Sequence, residues 1–166
     1  RYGECTLIKI GDFEILVDGG EKDDSANVKA LLQEYVTDGV LELLIGTHAH
    51  SDHIGGISYT STLAVLDEIE MIIDCGGSNM NTTQVWGNYK SVVEYYVNQG
   101  TEYYAISDVM GSSLETMEIA ENVTLTFLNN RYYGIKSANP NDTSIGFYLR
   151  YYDTYLCMFG DAEEKA

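Results

Sequence analysis

The three histidines of this 166-residue chain all fall within one short segment, as His48, His50 and His53. They directly follow an apolar run, residues 41–45, of the kind that forms a buried β-strand. A strand that leads into a polar loop gives the loop a rigid starting point. In extended backbone His48 and His50 point to the same side, and Asp52 and His53 face the same pocket after the chain turns. The segment therefore predicts a site built where a strand ends.

Imidazole nitrogens together with carboxylate oxygens are the ligands of borderline divalent ions, with zinc first and manganese or iron as alternatives. Two imidazoles and two carboxylates within reach of one another can hold a pair of ions. The competing interpretation is a solvated cluster on the surface. It is disfavoured because every histidine of the chain lies in this one H-x-H-x-D-H segment. We therefore expect a site for two divalent ions, zinc first and manganese as the alternative.

Short apolar runs alternate with helical patterns along the chain. Strands are predicted at residues 6–10, 13–17, 41–45, 69–73, 123–128, 143–151 and 154–159. Helices are predicted at residues 25–36, capped by Ser25, and at residues 85–97, and loops at residues 46–56 and 129–142. The first two strands and the last two are expected to form hairpins. This order predicts a β-rich α/β (α+β) chain that forms a single domain over residues 1–166.

The charge of the chain limits its classes of partner, and its cysteine content indicates the state of its thiols. Asp and Glu number 26 against 9 Lys and Arg, so the net charge is −17. Long nucleic acid is disfavoured as a partner, because proteins bind it mainly through Lys and Arg that neutralise phosphates. No apolar run approaches the roughly 20 residues of a membrane helix. Cys5, Cys75 and Cys157 lie in apolar runs without C-x-x-C spacing, and we expect buried thiols.

Three segments carry a resemblance to a known family. Residues 47–56, T-H-A-H-S-D-H-I-G-G, resemble the T-H-x-H-x-D-H-x-G-G signature of the metallo-β-lactamase fold superfamily. Residues 17–20, V-D-G-G, are similar to its first motif, and residues 159–163, F-G-D-A-E, to its later strand-end motif. The resemblance implies the αββα sandwich of that superfamily. Residues 141–149 with the following G-D-A-E, and Tyr2-Gly3-Glu4, are similar to the hydrolase domain of ComEC-type competence proteins and related secreted phosphoesterases.

The resemblance also implies a role for each residue of the site. Five residues would be metal ligands: His48, His50, Asp52, His53 and Asp161. The first two would hold the first metal, the next two the second metal, and Asp161 would bridge them. Asp52, His53 and Asp161 would form the catalytic group of a dinuclear site that generates a metal-bound hydroxide.

Asp18 is implied as a residue that orients the site from behind the ligands, because ligating histidines usually need a carboxylate or carbonyl partner. Most hydrolases of the superfamily supply a third histidine to the first metal, but no histidine follows His53 here, and ComEC-type domains also lack it. Asp142 is a weak candidate to replace it, and a simple turn residue is an equal interpretation. The superfamily's last histidine lies one strand after the Gly-Asp motif. We therefore expect a domain truncated at both ends, with a strand missing before Arg1 and an incomplete second site at Ala166.

These features predict a metal-dependent hydrolase that acts on phosphodiester or phosphoester substrates. A small molecule or a surface polymer suits the negative charge better than long nucleic acid does. The alternatives are a β-lactamase-like amide or ester hydrolase and a non-catalytic metal-binding module. Few lysines and many Tyr, Asn, Thr and Gly resemble secreted bacterial proteins, which favours an extracytoplasmic location.

Overall fold

The computed structural model describes residues 3–77 and 83–163, so Tyr2 of the N-terminal resemblance lies outside the described residues. The strands of this part are β1 (Thr6–Ile10), β2 (Phe13–Val17), β3 (Val40–Gly46), β4 (Glu68–Asp74), β5 (Glu102–Ala105), β6 (Thr116–Ala120), β7 (Val123–Phe127), β8 (Phe147–Tyr151) and β9 (Thr154–Met158). The helices are α1 (Ser25–Tyr35), α2 (Ser51–Ile54), α3 (Thr60–Leu63), α4 (Gln84–Val97) and α5 (Ile106–Val109). Two 3₁₀ turns cover Lys22–Asp24 and Pro140–Thr143.

The strands form two sheets. The first has the order β1-β2-β3-β4-β5, with β1 antiparallel to β2 and the remaining neighbours parallel. The second has the order β6-β7-β8-β9 and is antiparallel throughout. Because β2 and β3 are parallel with Val17 opposite Ile45, the residues that follow them meet at one edge of the first sheet. This register brings Asp18 beside Thr47.

One face of the first sheet packs against helices α1 and α4. Leu16, Leu44 and Ile72 belong to three neighbouring strands and are buried in this layer. Helix α4 begins after Thr83, whose hydroxyl caps it by accepting a hydrogen bond from the Trp86 N–H at 3.2 Å. The apolar side of α4 faces the same layer through Trp86, Tyr89, Val92, Val93 and Tyr96.

The opposite face of the first sheet packs against the second sheet. The alternating residues of β2 and β3 contribute to this layer, because successive side chains of a strand point to opposite faces. Together with residues of β7 and β8 they form the core between the sheets: Ile15, Val17, Leu43, Ile45, Leu125, Phe127, Phe147 and Leu149. Burial of each such side chain stabilises the fold by about 1.5–3 kcal/mol. The two sheets are thereby fixed relative to each other, and so is the edge at which the polar segments meet.

The predicted fold class is confirmed, and most predicted strands and helices lie within a few residues of the observed ones. Pairing of β1 with β2 and of β8 with β9 confirms both hairpins. Strand β8 begins at Phe147, however, and not at Thr143, because residues 140–143 form a 3₁₀ turn. The expectation of a single domain over residues 1–166 that is truncated at both ends stays a prediction.

Several predictions were wrong in detail. The loop predicted at residues 46–56 contains helix α2, and Ser25 is the first residue of α1, with Asp24 at the cap position. Of the three thiols, only that of Cys75 is buried, whereas Cys5 is half-buried and Cys157 is exposed. Cys157 lies in the edge strand β9, whose side chains are exposed except for that of half-buried Met158. Within the described residues, no helix is both long and apolar enough to cross a membrane.

Candidate metal centre

The histidine segment starts where β3 ends. Gly46 is the last residue of β3, and His50 occupies the cap position before helix α2, which contains Asp52 and His53. His48 and His53 are almost completely buried, while His50 is half-buried. The predicted turn after His50 is thus the first turn of a short helix, which brings His53 back beside His48, with 4.1 Å between the ring centroids.

Three side chains converge at this edge of the sheet. Asp161, which follows β9, lies with one carboxylate oxygen 3.2 Å from His53 Nε2 and the other 3.8 Å from His48 Nε2. One ligand atom from each of the three residues lies within 4.8 Å of the others. The Asp161 side chain is about one-third exposed, so the group opens towards solvent on that side. The structure therefore brings together residues that are separated by more than a hundred positions in the sequence.

The other predicted ligands relate to this group in different ways. His50 adjoins it, with its Nδ1 3.0 Å from His48 Nε2. The negative charge of Asp52 acts on His53, but its carboxylate is not among the three converging side chains. Asp142 accepts a hydrogen bond from the Ser137 hydroxyl at 2.5 Å and is not among them either. The ligand roles predicted for His50, Asp52 and Asp142 stay predictions, as do those of the three converging residues.

Asp18 lies directly behind His53 and Thr47, while its predicted role in orienting a metal ligand stays a prediction. Its carboxylate accepts hydrogen bonds from the Thr47 N–H at 2.8 Å and the Thr47 hydroxyl at 2.6 Å, and lies 2.7 Å from His53 Nδ1. Asp18 has a φ of 58°, a left-handed conformation that Asp tolerates better than most residues. The contact with Nδ1 fixes the proton on that nitrogen and leaves Nε2 of His53 to face Asp161.

Thr47 is the residue of the site for which sequence reasoning gave no role. Its hydroxyl donates to Asp18 and lies 3.1 Å from His48 Nδ1, so it links the carboxylate to the second histidine. The available signal was its place directly before the first histidine of the motif. Gly160 packs closely on this hydroxyl, since a Cβ there would lie 2.9 Å from Thr47 Oγ1, and its φ is 51°. A side chain at position 160 would therefore displace the hydroxyl or strain the loop that carries Asp161.

Backbone contacts from the first hairpin hold helix α2 in place. The Gly19 N–H donates to the His53 carbonyl at 2.6 Å, and the Gly56 N–H donates to the Gly20 carbonyl at 2.9 Å. Gly56 has no room for a Cβ, because it would collide with the Gly19 carbonyl oxygen. Glycine at position 56 thus permits a close backbone approach, which fixes His53 against the segment that carries Asp18.

Burial and neighbouring charges give the two buried histidines opposite properties. Burial, followed by the positive charges that His53 and His50 would carry, lowers the pKa of His48 to about 2. Burial also acts to lower the pKa of His53, but the hydrogen bond and charge of Asp18, with the charges of Asp161 and Asp52, outweigh it and raise that pKa above the ordinary 6.5. His48 is therefore a neutral imidazole, the form that binds metal ions.

Metal affinity should decrease as the pH decreases, because His53 then binds a proton. A proton on Nε2 of His53 competes with a metal ion, so affinity should drop as pH falls through its raised pKa, by about tenfold per pH unit for one competing proton. The loss should begin above pH 6.5, the ordinary pKa of histidine. Isothermal titration of the metal-free protein with Zn²⁺ between pH 8 and pH 5.5 measures this. An affinity that stays constant across that range would contradict the assignment of His53.

The donor set fits a divalent ion. Two buried imidazoles, one of them neutral, face a partly exposed carboxylate, which is the combination of nitrogen and oxygen donors that zinc and similar ions bind. The Asp18 carboxylate behind His53 completes the arrangement of carboxylate, histidine and metal that is typical of protein sites. The group can therefore hold a metal ion, with Asp161 on the side that is open to solvent.

Comparison with solved structures decides the fold. YhfI from Bacillus subtilis, described as a metallo-beta-lactamase fold protein, matches with a TM-score of 0.53 and 15% identity over 95% of this chain and 54% of that chain. The chain has the metallo-β-lactamase fold. MEM-A1, a subclass B3 metallo-beta-lactamase from a soil metagenome library, matches with a TM-score of 0.54 and 14% identity over 95% of this chain and 56% of that chain.

A flavo di-iron protein mutant from Thermotoga maritima also matches, with a TM-score of 0.52 and 16% identity over 87% of this chain and 30% of that chain. Identities at this level establish the fold alone. The chain spans about half the length of the first structures it matches (54%, 53% and 54%). No curated protein matches the chain in sequence.

Residues 1–60 match the family model described as Metallo-beta-lactamase superfamily. The matched segment contains Asp18 and the three histidines, so the family model and the shared fold both point to this edge of the first sheet. They leave the substrate open, since the structural neighbours include both a β-lactamase and flavodiiron proteins.

Proposed function

We propose that the protein is a metallohydrolase with two divalent ions, zinc or manganese, that cleaves phosphodiester or phosphoester substrates. The observation that carries the proposal is the convergence of His48, His53 and Asp161 in a group supported by Asp18. Divalent ions in such a group supply Lewis acidity and activate water for attack on a phosphorus centre. The surrounding residues hold the ligand atoms in place, and Asp18 keeps a proton on His53 Nδ1. A substrate can approach from the side of Asp161, which is open to solvent.

Two features favour phosphorus over a β-lactam carbonyl. No histidine follows His53 in the sequence, and the segment 139–144 that precedes β8 offers Asn, Asp, Thr and Ser in its place. Oxygen donors in that position favour harder ions and phosphoester chemistry more than a set of three histidines does. The resemblance of residues 141–149 and 160–163 to ComEC-type hydrolase domains supports the same substrate class.

The net charge of the chain further limits the class of substrate. At −17, the chain repels long polyanions, and two divalent ions offset only a small part of that charge. A small phosphoester, or a phosphodiester in a surface polymer, suits this charge better than long nucleic acid. A β-lactamase-like hydrolase is the second candidate, and the likeness to the subclass B3 metallo-beta-lactamase MEM-A1 favours it.

Turnover of paired substrates by the full-length protein tests the proposal. Protein loaded with Zn²⁺ or Mn²⁺ should hydrolyse bis-p-nitrophenyl phosphate and leave nitrocefin intact, and His48→Ala should lose the activity. The exposed variant Tyr155→Ala, on β9 away from the metal group, should retain it. Turnover of nitrocefin alone would favour the β-lactamase alternative. No turnover by protein with bound metal would favour a non-catalytic metal-binding module.

A further inference from the structure

A cavity of about 280 Å³ lies beside the metal group, between the segment after β7 and the segment after β9. Its lining residues come from both segments and from the segment just before β8: Leu128, Asn129, Asn130, Tyr133, Ser144, Gly146, Phe159, Ala162 and Glu163. A larger cavity of about 620 Å³ opens at the opposite ends of β4 and β5 and shares no lining residue with the metal group. The smaller cavity is lined by Phe159 and Ala162, which flank Asp161 in the sequence, so a substrate bound at the metal group can reach it.

The wall of this cavity is continuous with the loop that carries Asp161. Phe159 and Ala162 line the cavity on either side of that residue in the sequence. Gly160 packs against both Thr47 and Ser144, so this loop lies between the cavity and the metal group. A substrate whose reacting atom lies at Asp161 can place its neighbouring group in the cavity.

The cavity has the chemistry of a site for an organic cation. No Lys or Arg is among its lining residues, and Glu163 places a carboxylate at its rim. The amides of Asn139 and Asn141 donate to Glu163 Oε1 at 3.1 and 3.3 Å and hold that carboxylate in position. The Phe159 side chain lines the cavity and is half-exposed. Cations bind to the faces of aromatic rings and to carboxylates, whereas anions are repelled by both.

Two hydroxyl groups line the cavity, and they differ in whether they already have a hydrogen-bond partner. The Tyr133 hydroxyl is engaged, since it accepts from the Gly146 N–H at 3.1 Å and lies 3.3 Å from the Ser144 carbonyl. The buried Ser144 hydroxyl has no hydrogen-bond partner among the described residues. Buried polar groups are nearly always hydrogen-bonded in folded proteins, so a polar ligand in this cavity can supply the partner that Ser144 lacks.

We propose that this cavity binds the non-reacting ester group of the substrate, and that this group carries a protonated amine. The amine would lie over the Phe159 ring and against Glu163 while the phosphorus lies at the metal group. The proposal rests on the proposed phosphoesterase function for the position of the phosphorus, but the affinity of the cavity for a cation can be measured without catalysis. It accounts for the acidity of the chain, because a cationic substrate is attracted by a charge of −17.

A matched pair of phosphodiesters tests the substrate preference. The metal-loaded protein should hydrolyse 2-aminoethyl p-nitrophenyl phosphate with a kcat/KM roughly tenfold above that of the ethyl analogue, mainly through KM. Glu163→Gln should remove most of this preference, because it should lower kcat/KM for the aminoethyl ester more than for the ethyl ester. Glu121→Gln removes the same charge from an exposed position before β7, at the far end of that strand, and should keep the preference. Equal preference in Glu163→Gln and wild type would overturn the proposal.

Ligand-observed NMR with metal-free protein separates this proposal from the proposed function. Benzylammonium should bind more tightly than neutral benzyl alcohol, and the difference should shrink in Glu163→Gln and Phe159→Ala but persist in Glu121→Gln. Binding that does not distinguish the cation from the alcohol overturns the cation site, whatever the enzyme hydrolyses. Selective binding together with a lack of phosphodiester turnover supports the cation site and counts against the phosphoesterase function alone.

Discussion

Replacing His48 with alanine should reduce metal affinity by orders of magnitude. The imidazole is completely buried, its Nε2 faces both Asp161 and His50, and its pKa of about 2 keeps it neutral. Loss of a residue that merely supports a ligand typically costs about 10- to 100-fold in metal affinity, and loss of the ligand itself should exceed that. Asp161→Ala should act in the same direction, whereas His53→Ala should mainly remove the second ion.

Metal content after dialysis, measured by inductively coupled plasma mass spectrometry, and Zn²⁺ titration calorimetry check this expectation. Thr62→Ala is a suitable control, because it also shortens a buried polar side chain but lies in α3, outside the metal group. Thermal unfolding of the metal-free variants separates loss of ligand from loss of fold. If His48→Ala binds metal as wild type does, the assignment of the ligands is wrong.

Much of the scaffold around the site could be predicted because its signals are local. The apolar run at residues 41–45 is long enough to identify β3, and the periodic apolar residues of α4 identify that helix. The H-x-H-x-D-H segment follows β3 directly, so the position of His48 at a strand end also followed from the sequence. These features depend on neighbours within a few positions.

Other features depend on contacts between distant segments and had weak local signals. Strand β5 has four residues and is defined by its pairing with β4, and helix α2 has a single turn held by backbone contacts to the first hairpin. The role of Thr47 is set by Asp18, which lies 29 positions earlier in the sequence. The left-handed conformation of Asp18 likewise arises from that contact and not from a glycine-like residue type. Such properties require the parallel register of β2 and β3.

Substitutions of Asp18 should affect both stability and metal binding, to different degrees. Asp18→Asn keeps a side chain that tolerates the left-handed conformation and an oxygen that can accept from the Thr47 N–H. It removes the negative charge that holds the proton on His53 Nδ1. We expect metal affinity to fall about 10- to 100-fold with a small loss of stability, because the carboxylate partner of a ligating histidine is lost.

Asp18→Ala should be far more destabilising. The Thr47 N–H and hydroxyl would lose their acceptor inside a buried site, and His53 would lose its charged partner. Removing one partner from a buried network of this kind costs about 3–5 kcal/mol. Alanine at a φ of 58° adds about 1–2 kcal/mol of backbone strain, which glycine avoids.

Urea unfolding of the metal-free variants should therefore rank Asp18→Ala below Asp18→Gly, and both below Asp18→Asn. The difference between alanine and glycine measures the backbone strain, and the difference between glycine and asparagine measures the lost hydrogen bonds, since only asparagine keeps an acceptor for Thr47. Metal affinity should fall in all three variants, and in Asp18→Asn it should fall although the fold is nearly as stable as in wild type, because none of them keeps the charge that orients His53. Equal stability for all four proteins would mean that Asp18 does not hold the strand ends together, and the proposed support of His53 would then lose its physical basis.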